Sequence, residues 1–409
     1  MARRLRRPQV LAVPAVVFVV SLGAFTALND TPQTSRESSD DAAGLTRGGN
    51  IELQKARETA DPARYKRAEA FFRKALDAEP RDVDATVGLG TLALARHDFR
   101  EALRLGRAAR HLAPKLARPY AVLVDAQLEL GHYAAAGRSL QQMIDLRPNL
   151  ASYARVSYFR ELHGDLSGAR QAMGLAVSAG TGVPENAAYV QTLLGNLEAA
   201  RGKTDAARRA YATALSGVED YAPALAGRAR LDGAAGRFGL AIGAYEKIVQ
   251  RQPLPEYVIA LGETQQAAGR SADARESFAL VDAQRRLLAA NGVNSDVELA
   301  LFEADHGDRR RAIDLARRAW RAAPSVRSAD AVGWALTRAG HPATGLAWAR
   351  RALRLGSRDA PALTRAGLSA RAAGYDRKAR RYLRRALQAN PHFSVVWAPR
   401  AREALREMA

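Results

Sequence analysis

The chain has 409 residues, is 47% apolar but only 6% aromatic, and carries a formal net charge of +20. That length exceeds one ordinary globular core, so two domains or a repeat array are expected, built from small aliphatic side chains. Cysteine is absent, which excludes disulfides, thiolate metal sites, Cys nucleophiles and a lipid-bearing cysteine anchor.

In chain order, "MARRLRR" sets four arginines before a stretch without charge from Pro8 to Asn29. As a helix that stretch is long enough to cross a bilayer core of roughly 30 Å. The expected organisation is a cytoplasmic basic flank at 1–8 and a transmembrane anchor or signal peptide at 9–28, with the C-terminal portion outside. Small residues at Ser21/Gly23 or Ala24/Thr26 leave cleavage open as the alternative to an uncleaved anchor, and a buried cytoplasmic helix as a third. Residues 29–50 are polar and aperiodic, and read as a flexible linker.

From there the chain repeats one phrase. "AEAFFRKALDAEP" at Ala68–Pro80 returns as "ARRYLRRALQANP" at Ala379–Pro391. Its first alanine recurs at Ala102, Ala136, Ala169, Ala207, Ala241, Ala274 and Ala312, with Gly345 in the ninth place, at intervals of 33, 34 or 38. Seven residues later stand Ala75, Ala109, Ala176, Ala214, Ala319, Ala352 and Ala386. Between the two, Phe72, Leu140, Met173, Tyr211, Tyr245, Phe278 or Leu383 supplies a large side chain. Alanines seven apart share a helical face and let a neighbouring helix come close; the large residue fills the adjoining hole. Glycine precedes the first alanine by five residues, from Gly131 to Gly374, where a left-handed residue ends one helix and turns into the next. Proline closes six units.

Ten helical hairpins of about 34 residues follow, over 51–393, with 394–409 as a capping helix. Two intervals of 38 mark irregularities: a widened loop in "SAGTGVPENAAY" and a second helix lengthened by one turn in "ARESFALVDAQRRLLAANG".

The pattern resembles the tetratricopeptide repeat. "AEAFFRKALDAEP" matches its Ala-x-x-x-Phe…Pro half, and Leu89-Gly90 and Leu194-Gly195 match its Leu-Gly half, although the family's Trp and Tyr of the first helix are missing. The resemblance implies an all-α, right-handed α-solenoid of stacked helix-turn-helix units, non-catalytic, holding a protein or peptide partner in a concave groove lined by first helices. Carried over unit by unit, the groove floor is Thr91, Asp125, Tyr158, Asn196, Arg230, Glu263, Leu301, Trp334 and Leu368. Asp125, Tyr158, Asn196, Arg230, Glu263 and Trp334 are the anchoring types, with Arg338 and Arg371 expected beside Trp334.

Chemistry is otherwise sparse. His97, His132, His163, His306 and His341 fall at hairpin turns, too far apart to share a metal. No nucleotide, metalloprotease or esterase motif occurs, and no cofactor is expected. From Leu301 onward the chain has 23 basic and 9 acidic side chains, a net of +14. An acidic partner, an anionic lipid or a wall polymer would suit that basic quarter; a solvated face produced by biased coding explains it equally. An accessory of an envelope transporter or wall enzyme is the rival function, and nucleic-acid binding is not expected.

Overall fold

The computed structural model describes residues 41–180 and 182–408. The expected basic flank at 1–8, the anchor or signal peptide at 9–28 and the first part of the linker, residues 29–40, lie outside these. Among the described residues there are 21 α-helices and no strand, and no helix is long and apolar enough to cross a membrane.

Twenty of the helices pair as ten consecutive hairpins. The first five are α1 (Ala42–Thr59) with α2 (Ala63–Ala78), α3 (Val83–Ala95) with α4 (Phe99–Leu112), α5 (Ala117–Glu129) with α6 (Tyr133–Leu146), α7 (Leu150–Leu162) with α8 (Leu166–Ser178), and α9 (Pro184–Ala200) with α10 (Thr204–Gly217). The second five are α11 (Ala222–Ala234) with α12 (Phe238–Arg251), α13 (Pro255–Ala267) with α14 (Ser271–Ala290), α15 (Asp296–His306) with α16 (Arg309–Ala322), α17 (Val326–Arg338) with α18 (Pro342–Ala352), and α19 (Ala360–Ala372) with α20 (Asp376–Ala389). Helix α21 (Trp397–Glu407) packs on α19 and α20 and closes the end. The expected all-α solenoid with a capping helix is what the chain forms.

Three details differ from expectation. Residues Ala42–Asn50, the end of the expected linker, are the first half of α1. Its Gly48 and Gly49 are buried against Phe71 and Phe72, so the glycine pair serves close packing, not flexibility. The first 38-residue interval goes largely into α9, which has 17 residues where α7 has 13. The second lengthens α14 to 20 residues, as expected. Gly307 alone among the turn glycines is not left-handed (φ −132°); there the turn needs room beside the Glu303 carboxylate, which a Cβ would strike.

The large residue of each phrase packs onto backbone. Phe72 lies between Gly49 of α1 and Gly88 of α3, and Tyr211 lies between Gly195 of α9 and Gly227 of α11; a Cβ at any of these glycines would collide with the ring. A ring from the second helix thus wedges two first helices while the missing side chains let all three approach.

The superhelix then closes on itself. The turn of each of the first five hairpins meets the exit of the hairpin five places later. Gln252 Nε2 donates to Glu58 O at 2.9 Å, and Asn294 N donates to Arg96 O at 3.0 Å. Val326 N donates to Tyr133 Oη at 2.8 Å, and Asn390 Nδ2 donates to Ala199 O at 2.7 Å. At Gly131, Gly164 and Gly202 the backbone faces Pro324, Gly356 and Ala389 carbonyls so closely that a side chain would clash. Apolar contact crosses the seam as well: Leu53 and Tyr65 share a core with Tyr245, Leu254 and Val293.

These glycines separate two requirements. Gly164 (φ +77°) and Gly236 (φ +78°) both need the left-handed region, but only Gly164 faces a partner; nothing lies within 4 Å of a Cβ at Gly236. Ala at either position will cost about 1 kcal/mol of backbone strain. Gly164→Ala will lose roughly 1–3 kcal/mol more, through overpacking at the seam, and will increase the radius of gyration in solution scattering. Equal melting and equal size of the two variants would show that the seam carries no stability.

Candidate functional site

Closure winds the concave face inward into a lumen, and this decides where the expected groove residues stand. Asp125 is 4% exposed and Arg155 of the neighbouring first helix 0%. They form a forked pair, Nε to Oδ1 at 3.0 Å and Nη2 to Oδ2 at 2.7 Å. Burial nevertheless pushes the Asp125 carboxyl up to about 6, against the pull of Arg155. Asp125 is therefore a tie between α5 and α7, not a surface for a peptide.

Trp334 is 3% exposed. Its Nε1 donates to Asp305 Oδ1 at 3.0 Å, and its ring meets Trp397 of the capping helix edge-on, centroids 5.2 Å apart. Arg338 stacks on it at 5.7 Å and donates to Ala304 O, as its spacing suggested. Arg371 instead pairs with Glu407 of α21 at 2.6 Å. The expectation of an open aromatic anchor is corrected: packing of the cap covers Trp334. Thr91 is also buried, and Glu263 receives His306 Nε2 at 3.3 Å, with that imidazole stacked on Phe278.

Tyr158, Asn196, Arg230 and Leu301 do reach the lumen. Tyr158 and Leu301 line a cavity of about 340 Å³. Asn196, whose Oδ1 accepts from Tyr211 Oη at 2.8 Å, and Arg230 line an adjoining lobe of about 140 Å³. Glu161, Ser357, Asp359 and Pro361 belong to both spaces.

The charges around the larger space fall into two groups. Arg327 lies between Glu298 at 3.0 Å and Glu129 at 3.7 Å, and Arg365 forks onto Asp330. Among the described residues neither Glu161 nor Asp359 forms a direct ion pair, although the charges of Arg365 and Arg327 act on Asp359. The Glu161 carboxylate makes no hydrogen bond or ion pair among the described residues, and burial, then the charge of Asp359, push it up to about 7. Asp359 is solvent-exposed and accepts Ala362 N at 2.7 Å as the N-cap of α19; desolvation by the surrounding fold raises its carboxyl, partly offset by Arg365. Sequence reasoning missed both. The available signal was negative: no Lys or Arg stands three or four residues from either carboxylate, so neither has helical neighbours to pair with.

Outside, the second helices are basic. Arg317 and Arg321 on α16, Arg350 on α18, and Arg377, Arg384 and Arg385 on α20 are exposed and form no ion pair among the described residues. Among the described residues no group of three His, Cys, Asp or Glu side chains could hold a metal.

This architecture defines an α-solenoid of tetratricopeptide-like hairpins wound into a closed superhelix. No protein-family profile matches the chain, and no curated protein matches it. Among solved structures it is similar to a thermophilic tetratricopeptide repeat protein of Thermus thermophilus (22% identity, 45% of this chain and 98% of that one, TM-score 0.39). It is also similar to a tetratricopeptide repeat protein of Parabacteroides merdae (17% identity, 60% and 99%, TM-score 0.41). A third is the human IFIT1 dimer with PPP-AAAA (15% identity, 90% and 93%, TM-score 0.48).

Three variants test these assignments. Asp125→Leu will strand the Arg155 guanidinium in the interior and cost about 3–5 kcal/mol in denaturant unfolding, while adding Arg155→Met will restore most of it. An additive double variant would show that the two groups do not act as a pair. Glu161 behaves oppositely. Its carboxyl holds its proton up to about 7 when folded, against 4.5 as the ordinary value. The folded state therefore binds the extra proton between those limits, and stability falls as pH rises through that window. Glu161→Gln will stabilise the protein by about 1–2 kcal/mol at pH 8, and the gain will vanish below pH 4.5. A gain independent of pH would assign it to something other than the carboxylate.

Proposed function

We propose that the chain is a non-catalytic scaffold, held at a membrane by residues 9–28 with its solenoid outside the cytoplasm. Its protein partner binds the outer face of α16, α18 and α20. The observation that carries this reading is the set of exposed arginines, without ion pairs among the described residues, on consecutive second helices. Arginine on a rigid helix face is suited to forked recognition of carboxylates, and so to an acidic partner. The buried state of Asp125 and Trp334 argues against the open-groove alternative.

The test is crosslinking in intact cells, followed by binding of the recovered partner to the purified chain. Arg377, Arg384 and Arg385 changed together to Glu will weaken binding at least tenfold at low salt and leave the helical signal intact. Trp334→Ala will melt earlier, by about 3–5 kcal/mol in stability, but bind normally when folded. A partner indifferent to the arginines and lost with folded Trp334→Ala would return the site to the interior face. A reporter active only outside the cytoplasm, fused after Asn50, will be active; activity confined to a cytoplasmic reporter would reverse the topology.

A further inference from the structure

The four tryptophans of the chain all lie in its last quarter, and the fold divides them into two pairs. Trp334 and Trp397 pack against each other in the interior. Trp320 of α16 and Trp348 of α18 belong to the outer second helices. They are half-buried and meet edge-on, with ring centroids 4.8 Å apart. Arg351, exposed and one helical turn after Trp348, lies over both rings. Its guanidinium carbon is 4.9 Å from the Trp320 centroid and 5.4 Å from that of Trp348. It forms no ion pair among the described residues.

The stack sits in a registered row of arginines. Arg317, Arg350 and Arg384 each stand five residues after the first small residue of their phrase, at Ala312, Gly345 and Ala379. All three are exposed, and none forms an ion pair among the described residues. The five hairpins before them hold Gln141, Gly174, Ala212, Glu246 and Ala279 at that position, none of them basic. The row therefore begins at α16, where the stack begins.

A guanidinium laid flat on a ring uses its face there and keeps its N–H edge for a carboxylate. Because two rings hold Arg351, little side-chain freedom is lost when that edge is engaged. The rings keep part of their apolar surface exposed beside the same edge, and tryptophan and arginine are among the residue types that most often anchor a protein interface. Resting on the outer-face reading above, we infer that the docking surface is centred on the Trp320–Arg351–Trp348 stack, and that its partner is an acidic polypeptide segment in which a carboxylate neighbours an aromatic side chain. The carboxylate forks onto Arg351, the aromatic ring covers the free surface of the two tryptophans, and flanking carboxylates meet Arg317 and Arg350. The net charge of +14 from Leu301 onward opposes a basic segment there. An anionic membrane suits the stack less well: its rings lie between two helices under a guanidinium and are not free to enter a headgroup layer.

Calorimetry on the purified full chain tests this with four probes: acetyl-Glu-Glu-Phe-Glu-Glu-amide, the same peptide with Ala for Phe, acetyl-Lys-Lys-Phe-Lys-Lys-amide, and phosphatidylglycerol vesicles. The first will bind saturably and at least fivefold tighter than the second; the third will not bind. Arg351→Lys keeps the charge without the fork or the flat stack, and will weaken the first peptide at least tenfold. Trp348→Leu will abolish the preference for Phe over Ala. Helical signal and melting verify folding of both variants, and if Trp348→Leu does not fold, Arg351→Lys decides alone. No binding of the first peptide, equal affinity for the Ala peptide, full affinity in Arg351→Lys, or displacement of the bound peptide by the vesicles would overturn the proposal. The scaffold reading fails separately. A recovered partner that is weakened by the Arg377→Glu/Arg384→Glu/Arg385→Glu variant but indifferent to Arg351→Lys removes the stack and keeps that reading.

Discussion

The structure depends on the approach of backbone to backbone along one seam. A solenoid hairpin contacts its neighbours in sequence, and nothing in that local rule requires the fifth neighbour to be touched. Here the curvature set by small residues brings each early turn onto a later exit, at sequence separations of 191 to 198 for the four hydrogen bonds named above. Contacts of that separation are costly in loop-closure entropy when formed singly, but neighbouring hairpins already hold the ends together. The result is closer to a globular protein than to a spring.

Much else follows from closure. A groove that is wound shut has an inside, and groups placed there must be partnered. First helices are tied sideways by charge: Asp125 to Arg155, Glu298 to Arg327, Asp330 to Arg365. Each pair spans adjacent hairpins, so it fixes their relative rotation as well as their spacing. The outer face has the opposite character. Its arginines stand in water, where solvation makes unpaired charge inexpensive and leaves it free for a partner.

The repeat was legible because it is local. Ala68 and Ala75, seven apart with Phe72 between, imply one helical face and one packing hole wherever they stand, and the left-handed turn residue follows from the chemistry of glycine alone. The capping helix and the lengthened α14 were legible for the same reason. The beginning of α1 was not, because Gly48-Gly49 signals a flexible chain unless the Phe71 and Phe72 rings packed on it are known. The candidate site was legible only in part. Tyr158, Asn196 and Arg230 were found through their register on first helices, whereas Glu161 and Asp359 sit near hairpin ends, where register says nothing of what lies across the seam.

The sequence by itself determined the hairpin, its count over the described residues and the helical face each residue occupies, since these rest on interactions within about one repeat length. Tertiary structure alone decided whether that face is a groove or an interior. Small rotations at each hairpin interface add along the chain, and their sum settles whether Gly164 meets Gly356 or meets water. That sum made Trp334 part of the core beneath Trp397, and brought Glu161 and Asp359 to the lining of one space.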